Sequence, residues 1–404
     1  MPVDGFPDTT VSVLDPATTR AIAPELDRSV DPAVWVYRYE DAGTGWRLSI
    51  ATHAEPGSGK LSMGGFRIAP EARTALPGFD TDREAIGLAI GMEEKIQWSR
   101  LTGVGGPLAQ QARGRVVGGK CVLRPTPDAR VGQHDDRALL DWAVACFRAF
   151  EERSGAHLTT GQDLGHGLMS DGVTPSLAYL NERFAGSVLA DTSLPTAEGN
   201  YHLLRGMLRG CGVDPARARV SLVGAGNIGR HVLALLRADG TTVQVLETNA
   251  TTRALVEAGG ARAWSADRRE HFLSLPADAV VVNASGGSLD ERAVATIAAN
   301  DGVRVVCGSE HLAMTDPRGA ATLLAARKLY APTELGGMMG YLTAVEEYLA
   351  RRAEIPFDMR AVLEAARRLE TVGYEGATHV VSGGYRQSFE EAVREIFSAS
   401  AGAA

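Results

Sequence analysis

The chain has 404 residues, 45% of them hydrophobic and 22% charged, with a formal net charge of −8. That make-up is of a soluble globular protein with room for two filled cores, and its acidic balance argues against nucleic acid or an anionic membrane as partner. No run approaches the ~20 apolar residues of a membrane span. The opening residues lack a basic-then-apolar signal pattern, so a cytoplasmic location is expected. Cys121, Cys146, Cys211 and Cys307 are scattered, with no C-x-x-C pair and no metal-type spacing to histidine. Reduced thiols and no bound metal are expected.

Residues 1–32 lack periodicity and read as an N-terminal arm. Val34–Tyr39 and Trp46–Ala51 read as strands joined by a hairpin connection. Leu61–Ile68 reads as a further strand weakened by Gly64-Gly65, a pair expected where something approaches the backbone. Thr81–Arg100 carries a helical apolar stripe behind Asp80, Thr81 or Asp82 as cap. Leu101–Gly114 is a loop with a short helix at Pro107–Ala112. Arg115–Leu123 is strand-like and holds Gly118-Gly119 directly before Lys120. Asp135–Arg153 is an amphipathic helix. His157–Thr160 is a short strand leading into Gly161-Gln162-Asp163-Leu164-Gly165.

A helix from Thr196 to about Gly210 enters the most informative stretch. Val220–Val223 is apolar and β-branched, Gly224-Ala225-Gly226-Asn227-Ile228-Gly229 follows as G-x-G-x-x-G, and a helical pattern leads to Val243–Leu246 and Glu247. In this context the three glycines permit a tight turn, close approach of a pyrophosphate and close helix–strand packing. Glu247, about 20 residues on, is placed to accept hydrogen bonds from ribose hydroxyls. The same carboxylate favours NAD over NADP, against which Arg253 stands as a counter-signal. Strands at Ala279–Val282 and Val303–Val306 alternate with helices, so a parallel doubly wound sheet is expected. Helices follow at Tyr341–Arg352, Met359–Leu369 and about Ser388–Ser398.

Two polar residues sit where apolar ones are the rule. Lys120 ends a Gly-Gly pair in an apolar strand, where burial disfavours its ammonium. Asp163 lies between glycines just past a strand, placed to project into a cleft. An amine opposite a carboxylate suits proton transfer at a carbonyl or carbinolamine. Each also has an ordinary reading, as a strand-edge charge and a turn former.

The ordered set Gly64-Gly65-Phe66-Arg67, Gly91-Met92-Glu93-Glu94-Lys95, Gly118-Gly119-Lys120, Thr160–Gly165, Thr196-Ala197-Glu198-Gly199, Gly224–Gly229, Gly308-Ser309 and Tyr330-Ala331-Pro332 resembles the amino-acid dehydrogenases of leucine, valine, phenylalanine and glutamate, most closely the leucine and phenylalanine branch. The resemblance covers about residues 33–345. It implies an α/β protein of two domains: an N-terminal α/β substrate and oligomerisation domain (33–195) and a doubly wound Rossmann domain (196–335), with C-terminal helices (336–404) packing back on the first. It implies that Lys120 polarises the carbonyl and activates water, that Asp163 shuttles a proton, and that Lys95 binds the substrate carboxylate beside Gly64 and Gly65. Thr196, Asn283, Ala284 and Ser285 would contact the nicotinamide of NAD. Met339 and Tyr341 would line a reshaped side-chain pocket. A homo-oligomer acting on a small amino acid, 2-oxo acid or imine is implied.

Three departures stand out. Lys95 and Lys120 are spaced much more widely than the family's pair, which makes Leu101–Gly114 an insertion. Leu312 stands where the family's amine-contacting Asn follows G-S, with Glu310 or His311 as possible substitutes. Gly337 stands where the family has a second Asn. The first expectation is therefore NAD-dependent oxidative deamination, on a specialised or bulky substrate. The alternatives are hydride transfer to another imine or condensation product, and an NAD-binding regulatory homologue without catalysis. His166, near Asp163, could extend a proton relay or simply pack.

Overall fold

The computed structural model describes residues 3–24 and 33–401. Two compact units emerge. One comprises residues up to Ile96, Gln111–Asp191 and Ala344–Phe357; the other comprises Gln97–Gln110, Thr192–Thr343 and the chain from Asp358 on. The elements up to residue 191 are β1 (Thr9–Leu14), α1 (Pro16–Ile22), β2 (Trp35–Asp41), β3 (Arg47–Thr52), β4 (Leu61–Met63), β5 (Phe66–Ile68), α2 (Glu71–Thr74), α3 (Thr81–Thr102), α4 (Pro107–Gln111), β6 (Val116–Arg124), α5 (Asp136–Ser154), β7 (His157–Thr159) and α6 (Ser176–Arg183).

The first sheet is mixed, in the order β1-β2-β3-β6-β4-β7, with β5 also paired to β6. Alternation along β6 sorts its side chains. Val117, Cys121 and Leu123 enter a buried core with Phe66, Trp142, Phe147 and Phe150. Gly118 and Lys120 therefore take the opposite face. There α3 lies so close that a Cβ on Gly118 would stand 2.5 Å from the Glu93 nitrogen. The Glu93 carboxylate accepts the Gly118 N–H at 2.7 Å.

Two expectations change here. The single strand expected over Leu61–Ile68 is two strands. β4 pairs with Val116–Gly118 of β6 and β5 with Cys121–Leu123, which leaves Gly64 and Gly65 beside Gly119 and Lys120. Of the expected irregular arm, Thr9–Leu14 is an edge strand antiparallel to β2. Its Thr9 Oγ1 donates to Asp41 Oδ2 and accepts from Trp142 Nε1, both at 2.9 Å. Polar tethers rather than an apolar stripe hold it, so periodicity does not reveal it. Residues 25–32 of that arm lie outside the described residues.

Beyond residue 191 come α7 (Ser193–Gly210), β8 (Arg219–Val223), α8 (Gly229–Ala238), β9 (Thr242–Leu246), α9 (Ala250–Ala258), β10 (Arg262–Trp264), α10 (Arg269–Ser274), β11 (Ala279–Val282), α11 (Glu291–Ala299), β12 (Val305–Gly308), α12 (Arg318–Ala325), β13 (Leu329–Tyr330), α13 (Thr333–Gly336), α14 (Met338–Arg352), α15 (Met359–Ala366), α16 (Arg368–Ser382) and α17 (Phe389–Ala401). The second sheet is parallel, in the order β10-β9-β8-β11-β12-β13. That is the doubly wound order, with the switch point between β8 and β11.

Only Ala344–Phe357 of the C-terminal region groups with the first unit; α15, α16 and α17 belong to the second. Helix α16, absent from the sequence reading, packs along α7. A Cβ on Gly206 would stand 2.0 Å from the Glu370 carbonyl oxygen, and one on Gly373 2.4 Å from that of Leu203. No helix among the described residues is long and apolar enough to cross a membrane.

Candidate functional site

In the first unit the break between β4 and β5 creates a side-chain-free notch. A Cβ on Gly64 would stand 1.9 Å from the Gly119 carbonyl oxygen, so only glycine fits there. One on Gly65 would meet Lys120 Nζ at 3.0 Å and Asp163 Cβ at 3.3 Å. Lys120 is 3% exposed. Its Nζ contacts the Asp163 carboxylate directly.

Asp163 is brought there by the loop Gly161–Gly165, which runs beside β5. Phe66 N–H donates to the Gly161 carbonyl and Ile68 N–H to that of Leu164, both at 3.0 Å. Gly165 makes this approach possible: its φ is +86°, and a Cβ would lie 2.0 Å from the Ile68 carbonyl oxygen. Asp163 Oδ1 also accepts the Leu164 N–H at 2.7 Å.

The sequence reading left out a buried ion-pair chain behind this pair. Arg67, on the same face of the sheet as Lys120, donates through Nη2 to Asp163 at 3.1 Å and through Nη1 to Glu84 at 2.7 Å. Arg73 donates to the other Glu84 oxygen at 3.1 Å. Burial works against the Arg67 cation, but Asp163 and Glu84 outweigh it and hold its pKa up. Burial is also the largest influence on Lys120. It pushes the amine below its ordinary value, with Arg67 adding to the effect and Asp163 opposing it. The result is a compact acid/base pair with a fixed cation behind it. Arg67 had one visible signal, an arginine between Phe66 and Ile68 immediately after the two glycines. Glu84 had none.

Lys95 lies buried on α3. His166 is used in packing. Its Nε2 donates to the Phe66 carbonyl at 2.7 Å, and its Nδ1 lies 3.0 Å from Ser176 Oγ. Burial holds its pKa below the ordinary value. A neutral imidazole with both nitrogens occupied fastens the Asp163 loop.

The second unit presents a dinucleotide-type cradle at its switch point. Gly224 has φ +86°, and a Cβ there would strike Asn283 O at 2.8 Å; one on Gly229 would lie 2.0 Å from the Gly224 carbonyl oxygen; one on Gly226 meets nothing within 4 Å. The outer two glycines close the turn, and the middle one leaves backbone open to a ligand. Ala225 is buried, Gly226 and Asn227 are exposed, and Ile228 is half-buried. Helix α8 begins without a side-chain cap, so its first N–H groups suit an anion. Glu247 is buried and accepts N–H bonds from Ala225 and Asn249, each at 2.8 Å. Arg253 donates to the Glu247 and Thr248 carbonyls at 2.8 and 2.6 Å, which occupies it on the backbone.

Asn283 follows β11 at the floor of this cradle. Its Oδ1 accepts from Asn200 Nδ2 at 2.8 Å and from Ser309 Oγ at 2.6 Å. Its Nδ2 is buried with no partner among the described residues. Ala284 and Ser285 beside it are exposed. Glu310, a candidate for the missing amine contact, instead accepts the Ala284 and Ser288 N–H groups at 3.1 and 2.9 Å and so pins this loop. Thr196 donates its hydroxyl to the Thr192 carbonyl at 2.7 Å, and a Cβ on Gly340 would lie 2.9 Å from its Oγ1. An open glycine, a capless helix start, a carboxylate at the end of β9 and an orphaned amide donor fit a dinucleotide.

Of the expected pocket residues, Met339 is fully buried and lies against Gly199, where an added Cβ would stand 2.6 Å from its Cγ. Tyr341 is buried on α14. Leu312 adopts φ +53°, a conformation that Asn tolerates better than Leu. A Cβ on Gly337 would already stand 3.0 Å from the Thr333 carbonyl oxygen and 3.2 Å from that of Ser309, so an Asn is crowded there.

No protein-family model and no curated protein matches the sequence. Solved structures do. L-tryptophan dehydrogenase from Nostoc punctiforme is 16% identical with a TM-score of 0.58, covering 87% of this chain and 91% of that one. Hetero-hexameric glutamate dehydrogenase from Thermus thermophilus is 16% identical with a TM-score of 0.62, covering 96% and 86%. Glutamate dehydrogenase from Peptoniphilus asaccharolyticus is 18% identical with a TM-score of 0.55, covering 86% and 83%. With its mixed sheet followed by a doubly wound parallel one, this chain has the fold of the amino-acid dehydrogenases.

Proposed function

We propose that this protein is an NAD-dependent oxidoreductase that catalyses reversible oxidative deamination of an amino acid. The observation that carries the reading is the buried Lys120–Asp163 pair beside a notch kept open by Gly65. A chain needing only structural stability gains little from burying such a pair.

Bound NAD supplies hydride acceptance at the nicotinamide ring. Lys95 holds the substrate carboxylate against Gly64 and Gly65. Lys120, its amine favoured in the neutral form by burial, takes the proton from water as it adds to the substrate imine. Asp163 carries a proton to and from the substrate nitrogen. Arg67 keeps Asp163 anionic and in place. NAD is favoured over NADP because Glu247 repels a 2′-phosphate and Arg253 is occupied on backbone carbonyls. A homo-oligomer in the cytoplasm completes the proposal.

The test is NADH formation across a panel of amino acids, and NADH consumption with 2-oxo acids plus ammonia. Turnover that Lys120→Ala abolishes supports the reading; unchanged turnover in that variant sinks it. A second reading, hydride transfer to another imine or condensation product, is favoured by Leu312 and Gly337 standing where amine-recognising groups are expected. NADH consumption with a preformed cyclic imine, and none with 2-oxo acids plus ammonia, selects it.

A further inference from the structure

The orphaned amide of Asn283 is the end of a directed hydrogen-bond chain. Cys307 Sγ lies 3.9 Å from Asn200 Oδ1. Asn200 Nδ2 donates to Asn283 Oδ1 at 2.8 Å. Ser309 Oγ donates to the same oxygen at 2.6 Å, and Ser309 N–H reaches it at 3.1 Å. Asn200 and Cys307 are fully buried, Ser309 is 5% exposed and Asn283 8%.

Each link has only one workable direction. A backbone N–H can only donate, so the Asn283 atom facing Ser309 must be its oxygen. The Asn200 atom facing that oxygen must be its NH₂. The remaining Asn200 oxygen then faces Cys307, whose thiol is pushed up to about 12 by burial and remains a donor at working pH. The chain therefore leaves one unsatisfied group, Asn283 Nδ2, between the end of β11 and the turn at Gly224. A buried donor without a partner is costly, and this one lies at the switch point where a ligand would satisfy it.

We infer that Asn200, with Cys307 and Ser309 behind it, is a positioning residue that fixes the Asn283 amide with its NH₂ outward, to donate to a carbonyl oxygen on the nicotinamide half of the cofactor. The inference rests on the reading of this unit as dinucleotide-binding. It adds Asn200 and Cys307, which touch no ligand themselves, to the groups that set cofactor affinity. Asn200→Asp breaks the chain: a carboxylate can only accept, so it demands an NH₂ from Asn283 where the Ser309 N–H still demands an oxygen, and the amide loses its single fixed orientation.

The experiment compares equilibrium binding of NADH and of ADP-ribose, which lacks the nicotinamide, to the full-length protein. Wild-type protein that binds neither overturns the dinucleotide reading itself. Given that binding, Asn200→Asp and Asn283→Asp weaken NADH about tenfold, the value of one hydrogen bond, and leave ADP-ribose unchanged. Cys307→Ser keeps a donor and binds NADH like wild type, whereas Cys307→Ala falls between. Equal loss for both ligands, or no change in NADH affinity in Asn200→Asp, overturns the positioning role. Thermal unfolding of each variant separates a folding defect from a binding one: a variant that melts early but keeps the wild-type ratio of the two affinities counts against the inference.

Discussion

A methyl group on Gly65 would stand 3.0 Å from the Nζ of Lys120. The space beside the candidate base is therefore held open by the absence of a side chain. Gly65→Ala is expected to lower kcat/KM about 100-fold, as a displacement of about 1 Å at a reacting group does. Folding should survive, because the far end of Lys120 can shift. Steady-state kinetics with a thermal melt checks both halves. Full activity in the alanine variant would place the substrate elsewhere.

The charge of Arg67 adds to burial in lowering the pH at which Lys120 loses its proton. With Lys120 as the base of the proposed reaction the neutral amine is required, so activity should rise with pH through the Lys120 pKa, which burial first and Arg67 second hold below the ordinary lysine value. Arg67→Met removes a cation from behind the pair and leaves Asp163 to act on Lys120 unopposed. Both changes favour the ammonium. The acidic limb of the kcat/KM profile should move to higher pH, and a limb that stays or moves down would contradict the assignment.

The glycines of the nucleotide turn should separate by role. Gly226→Ala meets nothing within 4 Å, so its melting temperature stays near wild type while NADH affinity drops. Gly229→Ala puts a Cβ 2.0 Å from the Gly224 carbonyl oxygen and should cost about 1–3 kcal/mol of stability. Melting and NADH titration of the two variants give opposite patterns if each glycine acts as described.

Leu312 holds a left-handed backbone conformation at a cost of roughly 1 kcal/mol. Leu312→Asn should relieve part of that cost and raise the thermal midpoint. If an amino acid is the substrate, the new amide should also lower its KM. A lowered midpoint would mean that the leucine side chain contributes more packing than its backbone strain removes.

Glu247→Gln keeps an acceptor for the Ala225 N–H and removes the charge. Binding of NADPH relative to NADH should improve. An unchanged ratio would show that Glu247 serves only the turn.

The second unit was legible because its signal is contiguous: strand, three glycines, helix, strand and acid follow one another along the chain. Lys120 and Asp163 were legible as residues out of place in their local patterns, and the resemblance joined them. Their supporting ion pairs were not, since Arg67, Glu84 and Asp163 meet only through the sheet. Helix α16 was missed because Gly373 and Gly376 lower helix propensity; Gly373 instead serves close contact with α7.

That contact between α7 and α16 bears on how the protein can be re-engineered. Gly206 faces the Glu370 carbonyl and Gly373 faces that of Leu203 with no room for a side chain, although the two helices are far apart in the sequence. The second unit is thus assembled from three separate stretches of chain, and a chimera spliced at residues 196 and 335 alone would leave α16 behind. Recombination that preserves activity should keep Gln97–Gln110, Thr192–Thr343 and everything from Asp358 from the same parent.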